Sequence, residues 1–141
     1  MVLLLDAGGL YAQANRSEPL HERVIAAIDD ESGALVTSEA AAQEADYLIG
    51  ARLGVDAELA FLEDLATGAF QVECLSPVER RTAHEVARRY RDLRLGLADT
   101  SLIVLAKRFG TVRLLTVDER HFRAVSPLQG GHFTILPADT P

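Results

Sequence analysis

Four acidic residues are the candidates for chemistry in this sequence, namely Asp6, Glu44, Asp99 and Asp118. Asp6 and Asp118 each follow a short apolar run, residues 2–5 and 114–117, of the kind that forms a buried strand. Ligands of open α/β sheets bind beyond the carboxyl ends of the strands, so both aspartates would lie at that edge. Each could instead serve only as the N-cap of the helix that follows it.

Asp99 lies on a predicted helix whose apolar residues, Leu102, Ile103 and Ala106, recur at helical spacing from it. This spacing places Asp99 at the N-terminal end of the buried stripe. A carboxylate in that position is costly unless it is paired, hydrogen-bonded or bound to a cation. No lysine or arginine shares the stripe, so we expect Asp99 to find a partner elsewhere in the molecule.

Glu44 lies in the middle of another predicted helix, beside an apolar face that includes Ala41 and Ala45. It could reach either the site or solvent. Carboxylates that converge without basic partners repel one another, and this repulsion raises their pKa values or recruits a cation. Oxygen-only ligation suits Mg²⁺ or Mn²⁺, which can polarise a phosphodiester and activate water.

The elements that must position these residues follow from periodicity and from capping signals. We expect strands at 2–5, 34–37, 70–75, 112–117 and 133–136, and helices at 10–15, 17–32, 38–53, 56–66, 77–90, 98–109 and 118–122. Ser17 and Ser38 are predicted N-caps, and Ser76 with Glu79 forms a predicted capping box. Strands separated by helices predict an α/β fold, with helices on both faces of a mainly parallel sheet of about five short strands. The absence of a linker or repeat predicts one domain over residues 1–141.

Charge is distributed unevenly along the chain, whose net charge is −7. Residues 1–79 carry three basic and fifteen acidic side chains, whereas residues 80–141 carry eleven basic and six acidic ones. Six arginines fall within 80–94, namely Arg80, Arg81, Arg88, Arg89, Arg91 and Arg94. They could form a phosphate-facing surface or simply a solvated helix face.

Cysteine content and the N-terminal sequence bear on the compartment. Cys74 is the only cysteine and cannot form an internal disulfide. The apolar run at residues 2–5 lacks a basic flank and is too short for a signal peptide or a membrane span. We therefore expect a cytoplasmic protein without a membrane anchor.

Taken together, these segments resemble the PIN-domain family. "VLLLDAGGLYA" resembles the family's opening strand and helix, "EAAAQEADYLIG" its glutamate-bearing helix, "LGLADTSLIVLAKRFG" its third acidic motif and "LLTVDERHF" its fourth. Their order and spacing match over nearly the whole chain. In length and motif wording the chain resembles the VapC-type toxins of bacterial toxin–antitoxin pairs.

The resemblance implies a PIN-like three-layer α/β/α fold and an Mg²⁺- or Mn²⁺-dependent endoribonuclease that cleaves structured cellular RNA. It also implies a VapB-type antitoxin that blocks the acidic site, and a homodimer. Carried over by position, Asp6 and Asp99 would be the primary metal ligands. Glu44 and Asp118 would complete the site through water or a second ion.

One position departs from the family pattern, because Gly8 stands where the opening motif usually has a hydroxyl residue. The hydrogen bond that this residue would make is either missing or supplied by another hydroxyl, with Thr100 and Ser101 as the candidates, and such outer hydrogen bonds orient metal ligands. His121 follows Asp118 by three residues and could approach the site, although a surface role is what we expect. The departure at Gly8 keeps open a PIN-like domain that binds or scaffolds without cleaving. A nuclease acting on DNA or on mixed substrates is a third alternative.

Overall fold

A computed structural model describes residues 1–141, in which five strands alternate with seven helices. The strands are β1 (Leu3–Leu5), β2 (Leu35–Ser38), β3 (Gln71–Glu73), β4 (Arg113–Leu115) and β5 (Thr134–Leu136). The helices are α1 (Ala7–Ala14), α2 (His21–Asp29), α3 (Glu39–Leu53), α4 (Val55–Thr67), α5 (Pro77–Arg89), α6 (Leu97–Phe109) and α7 (Arg120–Ala124). None of the helices combines the length and apolar character needed to cross a bilayer.

All five strands are parallel, in the order β3-β2-β1-β4-β5. In the central strand, Leu4 pairs with Val36 on one side and with Leu114 on the other. The carboxyl ends of parallel strands meet at one edge, so the residue that follows β1, Asp6, lies at the middle of that edge. The predicted parallel sheet of five short strands is therefore confirmed.

The side chains of the sheet supply two separate cores, one on each face. Leu3 and Leu5 pack with α1, α2, α3 and α4, whereas Leu4 packs on the opposite face with α3, α5 and α6. This division follows from the alternation of side chains along a strand, and it explains why β1 is apolar at every position. The predicted three layers, helices–sheet–helices, are confirmed.

Two of the predicted helix starts are confirmed by their hydrogen bonds. The Ser38 hydroxyl accepts from the backbone N–H of Ala41 at 3.0 Å and so caps α3. At α5 the Ser76 hydroxyl accepts from the N–H of Glu79, and the Glu79 carboxylate accepts from the N–H of Ser76. Each cap satisfies backbone donors that the first helical turn leaves free.

The first helix begins earlier than expected, at Ala7 rather than at residue 10. Gly9 lies within its first turn and is required there by packing. A Cβ atom on Gly9 would lie 2.5 Å from the backbone oxygen of Leu115, so only glycine allows α1 to lie this close to β4. Close packing against the sheet outweighs the low helix propensity of glycine.

The second helix begins at His21, and the predicted Ser17 cap is wrong. The Asn15 side chain accepts from the N–H of Ser17 at 3.1 Å and holds this segment in a turn before the helix.

Two boundaries near Asp118 also differ from the predicted ones, because β4 ends at Leu115 and α7 begins at Arg120. The segment between them forms a tight turn, in which the N–H of Asp118 donates to the Thr116 hydroxyl at 3.2 Å.

Candidate active site

Asp6 lies at the centre of the sheet's carboxyl edge and is almost completely buried, with 7% of its surface exposed. One of its carboxylate oxygens, Oδ1, accepts from the backbone N–H of Gly9 at 2.6 Å, so Asp6 does cap α1. The other oxygen, Oδ2, accepts from the Thr116 hydroxyl. The cap and the site are therefore compatible roles for the same side chain.

Burial raises the pKa of Asp6 from 3.8 to about 7. The two hydrogen bonds from Thr116 and Gly9 oppose this rise, and the negative charges of Asp99 and Asp118 add to it. No lysine, arginine or histidine forms an ion pair with Asp6. A carboxylate in such surroundings either holds a proton near neutral pH or binds a cation.

Asp99 lies in the first turn of α6, with 23% of its side chain exposed. The partner that its position demands is His121, whose Nδ1 lies 2.8 Å from Oδ2 of Asp99. The expectation that His121 has only a surface role is therefore wrong. Because α7 follows the β4 edge directly, it brings this imidazole back towards the acidic residues.

Asp118 is the most exposed of the aspartates at this edge, with 53% of its side chain accessible. Arg120 binds both carboxylate oxygens, through Nε at 3.0 Å and Nη2 at 2.8 Å. This guanidinium lowers the pKa of Asp118 to about 2. Asp118 is thus an ionised carboxylate that already has a positive partner, unlike Asp6.

Glu44 is exposed on α3, between the buried residues Ala41 and Ala45. Its carboxylate makes no hydrogen bond and no ion pair with another side chain. The structure brings Asp6, Asp99 and Asp118 close enough to interact. The interpretation of Glu44 as a site residue stays a prediction.

Thr116 is the residue that sequence reasoning missed, since it supplies the hydroxyl that position 8 lacks. A Cβ atom on Gly8 would lie 3.4 Å from Oδ1 of Asp6, so a side chain there would contact this carboxylate. Thr100 and Ser101 were the candidates for this hydroxyl, but neither side chain donates to Asp6. The Thr100 hydroxyl donates to the carbonyl of Gly96, and the Ser101 hydroxyl contacts Ser38 and Ala98.

The donor set is compatible with a hard divalent cation held by few protein ligands. No group of three or more His, Cys, Asp or Glu side chains is arranged to bind an ion. Mg²⁺, however, is commonly held by one or two carboxylates and by water. Asp6 fits this requirement, because it is a buried oxygen donor without a cationic partner, and Asp99 on α6 is close enough for its charge to act on Asp6.

A basic surface flanks the acidic edge on α5 and on the 3-10 turn at Arg91–Leu93. None of its six arginines forms an ion pair with a carboxylate, whereas the four arginines from Arg108 onward all do. Helix α5 packs against α6, the helix that carries Asp99. Unpaired guanidinium groups beside an acidic centre are suited to a polyanion whose phosphates would otherwise be repelled.

Comparison with known proteins assigns this architecture to a class. The PIN domain model matches residues 3–127, and the chain belongs to the PIN domain family. Within it, the chain is a VapC-type homologue, 42% identical over 135 residues to Ribonuclease VapC26 of Mycobacterium tuberculosis (strain ATCC 25618 / H37Rv), an alignment that covers 96% of this chain and all of the relative. The fold also resembles the crystal structure of Mycobacterium tuberculosis VapC20, a sarcin–ricin loop cleaving toxin, with a TM-score of 0.77, 16% identity, and coverage of 84% of this chain and 91% of that one.

Proposed function

We propose that this VapC-type ribonuclease is a metal-dependent endoribonuclease toxin that hydrolyses phosphodiester bonds in structured RNA, with Mg²⁺ or Mn²⁺ as its cofactor. One observation carries the proposal: a buried carboxylate, Asp6, faces two further carboxylates and has no basic partner. Such a group is stabilised in its ionised form by a divalent cation. The near full-length similarity to a named ribonuclease supports RNA as the substrate.

Asp6 and Asp99 are the residues that would hold the cation. The bound ion would polarise the phosphodiester and lower the pKa of water. Thr116 fixes the orientation of the Asp6 carboxylate, and His121 fixes that of Asp99. In the proposal, Asp118 and Glu44 are outside the primary ligands and act on water or substrate. Asp118 could do so only after one of its carboxylate oxygens is released from Arg120.

The test is cleavage of a structured RNA by the purified protein with Mg²⁺ or Mn²⁺, with a chelator, and by the variant Asp99→Asn. We expect cleavage that requires the metal and that Asp99→Asn abolishes while circular dichroism shows an intact fold. The matched control is Asp29→Asn, since Asp29 is exposed at the end of α2 and makes no ion pair. Unchanged cleavage by folded Asp99→Asn would refute the proposal. RNA binding without any cleavage would favour the non-cleaving module, and cleavage of DNA alone would favour the third alternative.

We also propose a VapB-type antitoxin as the protein partner. The acidic edge could be masked by a basic side chain that such a partner places between Asp6 and Asp99. Co-expression with the product of a short adjacent gene should yield a complex in which RNA cleavage is suppressed. Failure to co-purify under conditions in which both proteins are folded would count against this partner.

A homodimer is the assembly that we propose, through an exposed apolar stripe on α4. Val55, Leu59 and Leu62 recur at spacings of four and three residues, so they share one face of the helix, and all are exposed in the single chain. Light scattering should give a dimeric mass that Leu59→Glu reduces to a monomer. Val78→Glu, which alters an exposed apolar residue on α5, is the matched control and should leave the mass unchanged.

The extent of the domain and its compartment complete the proposal. We propose that residues 1–141 act as one PIN-like domain in the cytoplasm, where its RNA substrate would be found. Limited proteolysis should then leave the whole chain resistant as one unit, and cell fractionation should place the protein in the cytosol.

A further inference from the structure

We propose that a pocket beside the acidic site binds one unstacked nucleobase of the substrate, so that the enzyme selects single-stranded loops in RNA. This inference rests on the proposed function and adds a substrate subsite to it. The pocket has a volume of about 210 Å³ and lies between β2, β3, α3, α5 and the start of α6. That volume is below the range typical of whole drug-sized ligands or cofactors, which points to a smaller group.

The pocket lies on the same edge of the sheet as Asp6. Continuing the register of β1 and β2 by two residues beyond the Leu4–Val36 pair places Asp6 beside Ser38, and Ser38 itself pairs with Glu73 on β3. Ser38 and Glu73 both line the pocket. Neighbouring strands are about 4.8 Å apart, so the pocket begins one to two strand spacings from the acidic centre. A nucleotide next to the scissile phosphate could therefore reach it.

The floor of the pocket offers hydrogen-bond acceptors. The Ser101 hydroxyl lies 2.6 Å from the Ser38 hydroxyl and 2.6 Å from the carbonyl oxygen of Ala98. The two hydroxyl protons can both be used within this chain of contacts, and the Ser38 oxygen also accepts from the N–H of Ala41, so each oxygen keeps one lone pair for a further donor. Gln43, which is exposed and makes no hydrogen bond, adds an amide that can both donate and accept.

The walls of the pocket are apolar, and its charges nearly balance. Leu75 is half-buried in one wall, while Leu97 is 63% exposed at the rim, two residues before Asp99. Glu73 is paired with Arg108 at 3.3 Å, so the charges left without partners are those of Glu39 and Arg80. A neutral, flat ring with polar edges suits apolar walls and a polar floor better than a phosphate does.

The surface beyond the pocket supports an RNA strand as the occupant. Arg80 lines the pocket, and His84 and Arg88 follow it at four-residue intervals, so the three share one exposed stripe of α5. A strand following this stripe would have its phosphates near unpaired cations and one base over the pocket. A base within a duplex is stacked and cannot enter, whereas an unstacked loop base can.

The first test sequences the ends produced from an RNA pool with a randomised loop. We expect the wild type to prefer particular bases at one position next to the cut, and Gln43→Ala to weaken that preference about 10-fold. The matched control, Gln13→Ala, alters a glutamine far along α1 and should keep the preference. A preference unchanged in folded Gln43→Ala, or the absence of any preference in the wild type, would overturn the subsite.

The second test measures whether RNA covers the pocket, and it does not require cleavage. Cys74 is the only cysteine, is exposed and lines the pocket, so alkylation of the protein by iodoacetamide reports this position alone. In a chelating buffer that prevents cleavage, we expect a single-stranded RNA to slow alkylation several-fold and a duplex of the same sequence to have little effect. Equal protection by duplex, or none by either RNA, would overturn the proposal, as would protection by a bound antitoxin but not by RNA.

The two tests separate the subsite from the proposed function. If the wild type cleaves no RNA, the proposed function fails, and the alkylation experiment alone decides whether the pocket takes a base. The subsite fails while the proposed function stands if cleavage depends on metal and on Asp99, but Gln43→Ala leaves the base preference unchanged and RNA does not slow the alkylation of Cys74.

Discussion

Asp6 and Asp118 follow neighbouring strands at one edge of the sheet, yet their surroundings have opposite effects. Burial raises the pKa of Asp6 to about 7, whereas Arg120 lowers that of Asp118 to about 2. Position at a strand end therefore does not by itself determine the role of a carboxylate. The buried residue lacks a counter-charge and so would gain most from a cation, while the exposed residue already has one.

The largest expected difference between these two carboxylates is in catalysis. Asp6→Asn should lower RNA cleavage by about a thousand-fold, because it removes a charged metal ligand. Asp118→Asn should lower it by about 10- to 100-fold, as expected for a residue outside the primary ligands. Initial rates at saturating Mn²⁺ measure both effects. Equal losses in the two variants would show that the distinction drawn from burial has no catalytic meaning.

In the metal-free protein, the substitution Asp6→Asn that is most harmful to catalysis should increase the free energy of unfolding. Since the folded-state pKa of Asp6 lies above its unfolded value near 3.8, the wild type loses stability as the pH rises from about 4 to about 7. Asp6→Asn avoids this loss and should be more stable than the wild type by roughly 2–4 kcal/mol at pH 8. Urea unfolding at pH 4 and pH 8 checks this difference, which should nearly vanish at the lower pH. An Asn variant that is less stable at pH 8 would contradict it.

Thr116 offers a smaller change on the buried side of the comparison. Thr116→Val removes the hydroxyl that donates to Oδ2 of Asp6 but keeps the shape of the side chain. Loss of an outer hydrogen bond to a metal ligand is expected to lower Mn²⁺ affinity by about 10-fold or more. Thr134→Val, at a half-buried position on β5, is the matched control. Similar metal affinity in both variants would remove Thr116 from the account.

The smallest expected effect concerns Arg120 on the exposed side. Arg120→Gln removes the guanidinium that competes with a cation for Asp118, so the pKa of Asp118 should rise towards its ordinary value. Because the pair is exposed and screened, Mn²⁺ affinity should increase by no more than a few-fold. Titration at low and high salt measures this increase. A large loss of affinity would show that Arg120 supports the site instead of competing with it.

Sequence reasoning predicted most of the fold because the relevant signals are local. Apolar runs of strand length identified β1 and β4, and the Ser76 capping box identified the start of α5. The start of α1 was missed because Gly9 is explained only by its close approach to Leu115 of β4, which lies more than a hundred residues away. Helix propensity contains no information about that contact.

The candidate site was predicted only in part, because its acidic residues have local signals and their partners do not. Strand ends and helical periodicity identify Asp6 and Asp99 as residues that need partners. The partners themselves, Thr116 and His121, depend on how β4 and α7 meet the acidic edge. One signal for Thr116 was available, since it is the only polar residue in the run 114–117 and it follows β4 directly, as Asp6 follows the paired strand β1.

Calorimetric titration of Mn²⁺ in buffers of different ionisation enthalpy tests most directly whether Asp6 exchanges a proton for a cation. With the pKa of Asp6 at about 7, binding should release about 0.9 proton per ion at pH 6, about 0.5 at pH 7 and almost none at pH 9. Asp6→Asn should bind far more weakly and show no such pH dependence. Unaltered Mn²⁺ binding by Asp6→Asn, or binding by the wild type with no proton release at pH 6, would contradict the account.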